Sequence, residues 1–437
     1  MFFSLCMHIF IRDVAGHVGG SVTVKGWLYN SRSSGSLAFL ELRDGTGFIQ
    51  AVVAKDSVSP ETWQAAGSLT QESSLAVTGI VSAHPKKINV FELQATEIAI
   101  IGLAQEYPIA HKEHGPEFLM DNRHLWLRSK RQWAILRIRD AVETAIHDFL
   151  HEENFVRTDS PIFTPNACEG TTTLFSVPYF DLGEAYLSQS GQLYIEAAIA
   201  SVGRCYDFGP VFRAEKSKTK RHLTEFWMMD AEAAFVGHEE NLKIQEGLVK
   251  AIVRRVLEKC SPELAVLERD AAPLQAVLEQ AFTRFTYDEA VAKLQQMGSD
   301  IKYGEDLGND DESLLTEDSP VPVFIEKWPR TIKPFYMRID PENGARVLND
   351  DLIGIEGSGE IIGGSEREND FDLLLSRIRA EGLPESEYAW YLDLRRYGSV
   401  PHAGFGIGLE RMVRWMAGVE HIRECIPFPR TINRLRP

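Results

Sequence analysis

A basic run interrupts an otherwise acidic chain. Residues 208–222 read FGPVFRAEKSKTKRH, in which five of the fifteen residues are Lys or Arg, whereas the whole chain has a formal net charge of −17. The patterns RCYDFGPVFRAE and EFWMMDAEAAF on either side are typical of two strands, so the run is predicted to be the loop of a hairpin. A local excess of positive charge of this kind indicates an anionic ligand.

The flanking strands suggest which anion. Residues two apart in a strand share a face, so Arg213 and Glu215 point one way, and Phe226 and Asp230 share a face of the return strand. An arginine for a phosphate, a ring for a base and mobile cations for outer phosphates together suit a nucleoside triphosphate. The cations of the loop are Lys216, Lys218, Lys220, Arg221 and His222. A solvated, charged hairpin is the alternative interpretation.

Three other stretches favour the nucleotide interpretation. GFGIGLERM places Arg411 where a predicted strand becomes a helix, close to backbone N–H groups that suit polyphosphate. NDDLIGIEGSGEIIGGSER sets Asp351 and Glu360 near a glycine-rich strand, and such carboxylates are suitable ligands for Mg²⁺ bridging phosphates. LSQSGQLY offers small polar groups beside a glycine, which suits a small polar substrate.

Elements that could position these residues fall into two domains. Residues 1–105 contain five predicted strands, which indicates a five-stranded OB-fold barrel. Residues 106–132 are predicted to be a hinge, and 133–437 a catalytic domain with an antiparallel sheet flanked by helices, including a helical, acidic insertion at about 239–320. RQWAILRIRDAVETAIHDFLHEENF predicts an amphipathic helix, and AYLSQSGQLY predicts a strand. The predicted fold class is therefore α+β.

Composition excludes several classes of protein. No window is apolar and long enough to cross a membrane, no signal peptide is predicted, and the five scattered cysteines form no C-x-x-C pair, which argues against disulfides and zinc. We therefore expect a cytoplasmic protein. Residues 258–320 hold 5 Lys/Arg and 15 Asp/Glu, while residues 1–105 hold 7 and 8. The acidic run is interpreted as solvated surface, and the nearly neutral N-terminal part leaves nucleic-acid binding open.

Taken together, these motifs resemble the class II aminoacyl-tRNA synthetases of the aspartyl, asparaginyl and lysyl subgroup. FVRTDSPIFTP resembles motif 1, FGPVFRAEKSKTKRHLTEF motif 2 and GFGIGLERM motif 3, with EGTTTLF and GEIIGGSER between them. KGWLYNSRSSGSLAFLELRDGTGFIQ resembles the subgroup's anticodon-binding barrel. The resemblance covers nearly the whole chain and implies a barrel followed by a six- or seven-stranded antiparallel catalytic sheet. It also implies a homodimer.

Roles in ATP binding follow from the resemblance. Arg213 matches the arginine that neutralises the α-phosphate, Phe226 the aromatic that stacks on adenine, and Arg411 the arginine on its other face near the γ-phosphate. Both arginines are expected to be catalytic. The residues that match loop positions folding over ATP are Glu215, Arg221 and His222. Asp351 and Glu360 match the carboxylates that bind Mg²⁺.

Amino-acid and anticodon contacts are implied in the same way. Glu169, Ser190, Gln192 and Asp230 match groups that hold the amino acid, chiefly its ammonium. In the barrel, Phe39 and Gln50 match an aromatic and an amide that read the central anticodon base. The implied reaction forms an aminoacyl-adenylate from ATP and then transfers the acyl group to tRNA.

Asparagine is the predicted substrate rather than aspartate. Arg367 matches the arginine that touches the side-chain oxygen in both kinds of enzyme, but the lysine that aspartyl enzymes carry three residues after the glutamine is Ile195 here. Glu225 would accept from the amide NH₂ and repel a carboxylate, and Glu196 is a weaker candidate. The predicted partners are therefore L-asparagine, ATP and tRNA(Asn), with no membrane.

Three alternatives remain open. A non-discriminating aspartyl enzyme would charge both tRNAs, but the missing lysine counts against it. A paralogue that makes free asparagine would not need the barrel residues Phe39 and Gln50. A non-enzymatic RNA-binding module would not need Arg213 and Arg411 together with the two carboxylates.

Overall fold

We analysed the chain in a computed structural model that describes residues 7–168, 174–217 and 219–437. The chain separates into two compact units, Met1–Leu119 and Met120–Pro437. Within the described residues, no helix combines the length and the apolar character needed to cross a membrane. The described cysteines, Cys168, Cys205, Cys260 and Cys425, are all buried.

The first unit is a small closed barrel. Its strands are β1 (Met7–His8), β2 (Ser21–Ser34), β3 (Leu37–Arg43), β4 (Phe48–Ala54), β5 (Ser74–Ala83) and β6 (Phe91–Gly102), with helix α1 (Pro60–Ser68) between β4 and β5. The strand order is β1-β2-β3-β4-β6-β5, and the additional pairing of β2 with β5 closes the five longer strands on themselves. Alternate residues such as Val24, Leu40 and Val77 fill the interior. The predicted five-stranded OB fold is confirmed, with β1 added as a short parallel strand.

The second unit is built on an eight-stranded sheet of order β13-β14-β15-β16-β17-β12-β11-β7. These strands are β7 (Val156–Arg157), β11 (Arg204–Phe212), β12 (Glu225–Ala234), β13 (Thr283–Thr286), β14 (Val323–Glu326), β15 (Asn349–Gly354), β16 (Gly359–Glu366) and β17 (His402–Gly408). The six central strands pair antiparallel, as expected, and a parallel strand is added at each edge. A second sheet joins β8 (Phe163–Thr164), β10 (Glu184–Leu187) and β9 (Ser176–Pro178) in that order.

Helices cover the sheet and complete the core. They are α2 (Pro116–Asp121), α3 (Arg123–Trp126), α4 (Lys130–Glu152), α5 (Gln192–Val202), α6 (His238–Lys259), α7 (Ser261–Val266), α8 (Ala272–Glu279), α9 (Tyr287–Gln296), α10 (Asn309–Thr316), α11 (Phe371–Ala380), α12 (Ala389–Arg396) and α13 (Leu409–Ala417). The predicted amphipathic helix is confirmed as α4, which begins after Ser129, whose side chain accepts from the backbone N–H of Gln132. Its apolar face, including Ile135, Ile138 and Val142, packs in the main core with α6 and α13.

One predicted strand is largely wrong. Of AYLSQSGQLY only the first three residues are strand, as the end of Glu184–Leu187, and helix α5 begins at Gln192. The residues after Gly191, QLYIEAAIASV, are rich in alanine and bury Leu193, Ile195 and Ile199. Good helix formers and an apolar face outweigh the short alternation on which the strand prediction depended. As a result, Ser190 and Gln192 lie at the start of a helix.

Candidate active site

Glycines and carboxylates form the floor of the candidate site. Residues that pair directly across adjacent strands point to the same face of a sheet. One such row runs through Asp351, Gly363, Gly406, Asp230 and Asp207 on five consecutive strands. The glycines keep the centre of the row open, while the carboxylates line both sides. A parallel row carries Ser365, Gly404 and Glu232.

The openness of this floor depends on the missing side chains. A Cβ at position 406 would lie 2.5 Å from Oδ1 of Asp230 and 3.4 Å from Sδ of Met228. At position 404 it would collide with Glu232. The glycines of GFGIG therefore leave room for the buried carboxylates of β12.

A cavity lies over one end of this floor. The polar and aromatic side chains that line it are Arg213, Arg221, His222, Phe226, Glu360 and Arg411. The Arg213 guanidinium carbon lies 5.5 Å from the centre of the Phe226 ring. Arg411 approaches Glu360 at 3.6 Å and also donates to its backbone carbonyl. Motif 2 and motif 3 residues separated by almost 200 positions thus share one cavity, as the sequence predicts.

Two carboxylates flank Gly363 at the edge of the cavity. A Cβ at this position would lie 3.0 Å from Glu360 and 4.0 Å from Asp351. Burial and the neighbouring Glu360 charge raise the pKa of Asp351 to about 7, against the opposing effect of Lys333. Burial also opposes ionisation of Glu360, but Arg411, Lys333 and Arg213 outweigh it and lower the pKa of that carboxyl. The pair therefore carries one firmly ionised carboxylate and one that ionises readily when further positive charge is present.

Lys333 is a site residue that the sequence left unassigned. Its Nζ donates to Oδ2 of Asp351 at 2.6 Å and lies 3.9 Å from the Trp328 ring centre. Burial lowers the pKa of this amine, but the Asp351 carboxylate outweighs burial, so the pKa is raised. Its position in IKPFYM gives no periodic signal, because the contact with β15 is purely tertiary.

The loop after β11 is held by the acidic segment. Arg221 Nη1 donates to Glu312 at 2.7 Å, and the two side chains are only 12% and 14% exposed. Burial and the Glu360 charge raise the pKa of Glu312 to about 7, against the opposing charges of Arg411 and Arg221. The prediction that the acidic run is solvated surface is therefore wrong for Glu312. Elsewhere in the loop, His222 lies 3.6 Å from Glu215, and burial lowers the pKa of the imidazole.

Small polar groups converge at the start of α5. Oδ2 of Asp230 accepts from the Ser190 hydroxyl at 2.8 Å and from the Gly191 N–H at 2.9 Å. Burial and the Asp230 charge raise the pKa of the neighbouring Asp207 to about 7. Gln192 donates to Glu196 at 3.1 Å. Ser190, Gln192 and Asp230 thus meet as predicted, and a buried pair of aspartates is suited to a small cation such as an ammonium group. Glu169 lies outside the described residues.

Arg367 lies beside two glutamates, Glu232 and Glu196, of which only Glu196 is predicted from the sequence, as the weaker candidate. It donates to Glu232 through Nη2 at 2.9 Å, and Glu196 lies 3.9 Å away. Glu196 in turn pairs with Arg395 at 2.7 Å. These four charged side chains are all nine-tenths or more buried and balance each other. Strand alternation on β12 puts Glu232 on the face of Asp230, but it does not reveal the partner Arg367, which directly follows β16.

The structure does not bring Glu225 next to Arg367. Glu225 begins β12, opposite Phe212, and forms an isolated bridge with Arg430. Glu232, which does contact Arg367, lies seven residues further along the strand, a separation of roughly 23 Å at 3.3 Å per residue. The predicted pairing of Glu225 and Arg367 around one side-chain amide therefore has no geometric support.

The predicted anticodon residues lie together on the barrel surface. Phe39 and Gln50 line a cleft between β2, β3 and β4. The Arg32 guanidinium carbon lies 4.5 Å from the Phe39 ring centre, and the Gln50 amide donates to Glu92 at 2.6 Å. A half-buried ring with an oriented amide beside it is suited to stacking on and reading a single base.

Comparisons with known proteins identify the family and the fold of the chain. Residues 115–432 match the family model of class II tRNA synthetases (D, K and N), and residues 22–101 match that of the OB-fold nucleic acid binding domain. An asparagine–tRNA ligase from Desulforamulus reducens is 53% identical over 428 residues, which cover 98% of this chain and 99% of that protein. An asparagine–tRNA ligase from Thermus thermophilus is 51% identical, and the match covers 99% of this chain and 100% of that protein. The crystal structure of asparaginyl-tRNA synthetase from Pyrococcus horikoshii complexed with asparaginyl-adenylate has a TM-score of 0.93 at 43% identity, covering 98% of this chain and 99% of that one.

Proposed function

The chain belongs to the class II tRNA synthetases of the aspartyl, lysyl and asparaginyl group, and from this we infer that it attaches asparagine to tRNA(Asn) through an asparaginyl-adenylate. The observation that supports this most directly is the cavity that unites Arg213, Phe226 and Arg411 above the glycine floor. The resemblance seen in the sequence motifs is confirmed at the level of the family.

In the first step, the asparagine carboxylate attacks the α-phosphorus of ATP, and pyrophosphate leaves. The residues supply position and charge rather than covalent chemistry. In this proposal Arg213 neutralises the α-phosphate, the Phe226 ring stacks on adenine, and Arg411 binds the other side of the nucleotide. In the second step, a terminal ribose hydroxyl of tRNA attacks the acyl carbon, and AMP leaves.

Mg²⁺ suits the carboxylates at the edge of the cavity. Asp351 and Glu360 flank a position that lacks a Cβ, and hard oxygen donors of this kind are its usual protein ligands. No group of three or more His, Cys, Asp or Glu side chains within the described residues is arranged to hold a metal. The remaining ligands would therefore come from the phosphates and water, and the bound cation would offset phosphate charge.

The amino acid fits between two charged groups. Asp230 and Ser190 would hold its ammonium, with Gln192 and Glu169 as further predicted contacts. Arg367 would donate to its side-chain oxygen. Arg367 and Arg395 together balance the charges of Glu232 and Glu196, so a neutral amide bound there adds no net charge. A substrate carboxylate, by contrast, would lie beside these two buried glutamates. This balance favours asparagine.

The test is ATP–pyrophosphate exchange by the purified protein without tRNA, with asparagine and aspartate at matched concentrations. Exchange with asparagine alone is the expected result. Comparable exchange with aspartate would point to a non-discriminating aspartyl enzyme. The absence of exchange with either amino acid would contradict the assignment of the adenylation site. Asparagine formed from aspartate, ATP and ammonia, with release of AMP and no tRNA charging, would identify a paralogue that makes the free amino acid.

Assembly and location stay predictions. The family resemblance supports a homodimer, which sedimentation of the purified protein would test. A cytoplasmic location, expected from the sequence, is likewise part of the proposal and would be tested by fractionation of the source cells. The assigned anticodon residues, Phe39 and Gln50, complete the proposed contacts with tRNA(Asn).

A further inference from the structure

Helix α10 contacts Arg221, in the loop after β11, from outside the cavity. Residues 309, 312 and 313 lie on one face of this helix, as the spacing of three and four residues requires. All three contact the same guanidinium. Arg221 Nη1 donates to Asn309 at 2.9 Å and to Glu312 at 2.7 Å, while Nη2 donates to Ser313 at 3.0 Å.

The helix is itself firmly anchored. Leu315 is 2% exposed and packs with Tyr287, Leu294 and Ile353 in a hydrophobic cluster beneath α9 and β15. At its first turn, Asp311 accepts from the Gly308 N–H and from the Ser299 hydroxyl. A side chain bound to this helix is therefore connected to the packed core around α9 and β15.

The geometry leaves part of Arg221 available to a ligand. A guanidinium has five N–H donors in a planar fork. Three of them are directed to α10, and none of the residues that the structure describes accepts from the other two. Arg221 also lines the cavity that holds Arg213 and Arg411. The unused N–H groups therefore belong to a side chain that is fixed on one edge and borders the cavity.

A neighbouring glycine supports the same arrangement. Gly359 has φ +76°, and a Cβ there would lie 2.6 Å from Arg221 Nη1 and 2.8 Å from Glu312. The ion pair thus fills the space above the first residue of β16, directly before Glu360. By contrast, Lys220 of the same loop pairs with Glu420 in an exposed position, with both side chains more than half exposed.

We propose that α10 is a positioning element for ATP: Asn309, Glu312 and Ser313 hold the guanidinium of Arg221 so that its two remaining N–H groups bind the outer phosphates. The inference rests on the proposed function and deepens it, since it gives the acidic segment a role in nucleotide binding. An arginine fixed before ATP arrives loses little conformational freedom on binding, which strengthens the contact. None of the three helix residues touches the reacting atoms.

The experiment measures ATP affinity in Glu312→Gln and, as a matched control, Asp310→Asn. Asp310 is an exposed residue of the same helix. Its substitution by Asn removes the same charge as E312Q but does not alter a contact of Arg221. E312Q is expected to raise the KM for ATP in pyrophosphate exchange and the Kd for ATP in calorimetry about five- to tenfold, the net scale of one hydrogen bond. The KM for asparagine should change less than about twofold, and D310N should match the unaltered protein.

A double-mutant cycle distinguishes positioning from general stability. In an Arg221→Ala background, E312Q should have no further effect on ATP, because Glu312 is proposed to act on ATP only through Arg221. Additive effects, tighter ATP binding by E312Q, or an equal effect of D310N would each overturn the inference. If the unaltered protein binds ATP but shows no exchange with asparagine, the proposed function fails, and calorimetry still tests the role of α10.

Discussion

At the scale of single residues, the candidate site is a set of charges whose neighbours decide their behaviour. Asp351 and Glu360 are the same kind of group on adjacent strands, yet burial beside Glu360 raises the pKa of one, while Arg411 and Lys333 hold down the pKa of the other. Arg367 is similarly matched by Glu232. The site thus keeps positive charge where phosphates would bind and a neutral balance where the side-chain amide would bind.

Arg213 gives the sharpest prediction at this scale. Because its guanidinium lies over Phe226 in the cavity, Arg213→Ala should remove stabilisation of the charge that develops on the α-phosphate. We expect kcat/KM for pyrophosphate exchange to fall about 100- to 1,000-fold, or roughly 2.7–4 kcal/mol. Arg254→Ala, an exposed arginine on α6, is the control and should be neutral. Near-normal exchange by the Arg213 variant would contradict its assignment.

At the scale of elements, a buried ion network ties a helix to the sheet. His238 at the start of α6 lies 3.0 Å from Glu326 at the end of β14, and Arg284 on β13 donates to the same carboxylate at 2.7 Å. The His238 and Glu326 side chains are 6% and 7% exposed, respectively. This network fixes α6, whose inner face builds the main core, and so supports the sheet that carries the site.

Glu326→Gln should therefore destabilise the protein. Removing one partner of a buried pair leaves the other charge uncompensated, which costs about 3 kcal/mol. The thermal unfolding midpoint should fall clearly at neutral pH, whereas Glu279→Gln, on the exposed end of α8, should leave it unchanged. Equal midpoints for the two variants would show that the network does not stabilise the fold.

The same variant should alter the response to acid. Burial opposes ionisation of Glu326, but hydrogen bonds from His238 and Arg284 outweigh it and lower its pKa from 4.5 to about 2. A carboxyl whose pKa is lower in the folded than in the unfolded protein stabilises the folded state fully above about pH 4.5. This stabilisation is lost as the pH falls toward 2. The difference in stability between the unaltered protein and E326Q should therefore shrink through this window. A constant difference would contradict the assignment.

At the scale of the whole molecule, two compact units carry separate sets of predicted contacts. Residues proposed for ATP and asparagine lie in Met120–Pro437, and those proposed for the anticodon lie in Met1–Leu119. The first half-reaction uses ATP and the amino acid alone, so changes in the barrel should leave it intact. Charging of tRNA should depend on both units.

Phe39→Ala tests this division. Loss of a stacking ring should lower kcat/KM for tRNA charging about 5- to 150-fold, because base–aromatic stacking contributes roughly 1–3 kcal/mol. Pyrophosphate exchange without tRNA should be unchanged. Leu37→Ala, also on β3 and partly exposed, is the matched control. Unchanged tRNA charging by the Phe39 variant would remove this ring from the anticodon contacts.

Sequence alone determined the features that depend on local pattern. Strand alternation identified the hairpin that carries Arg213 and Phe226, and apolar periodicity identified α4. Contiguous motifs identified the family, because their residue types and spacing are set within short segments. The misplaced strand at Gln192 shows the limit of that approach, since a short alternating stretch also fits the face of a helix.

Only the tertiary structure decided which distant side chains meet. Lys333 beside Asp351, Glu312 beside Arg221 and Glu232 beside Arg367 each join segments that are remote in sequence. No periodicity signals such contacts, because they arise when separate elements pack on one sheet. The physical reason is that burial raises the free energy of an isolated charge, so each one needs an opposite charge that folding brings from elsewhere in the chain.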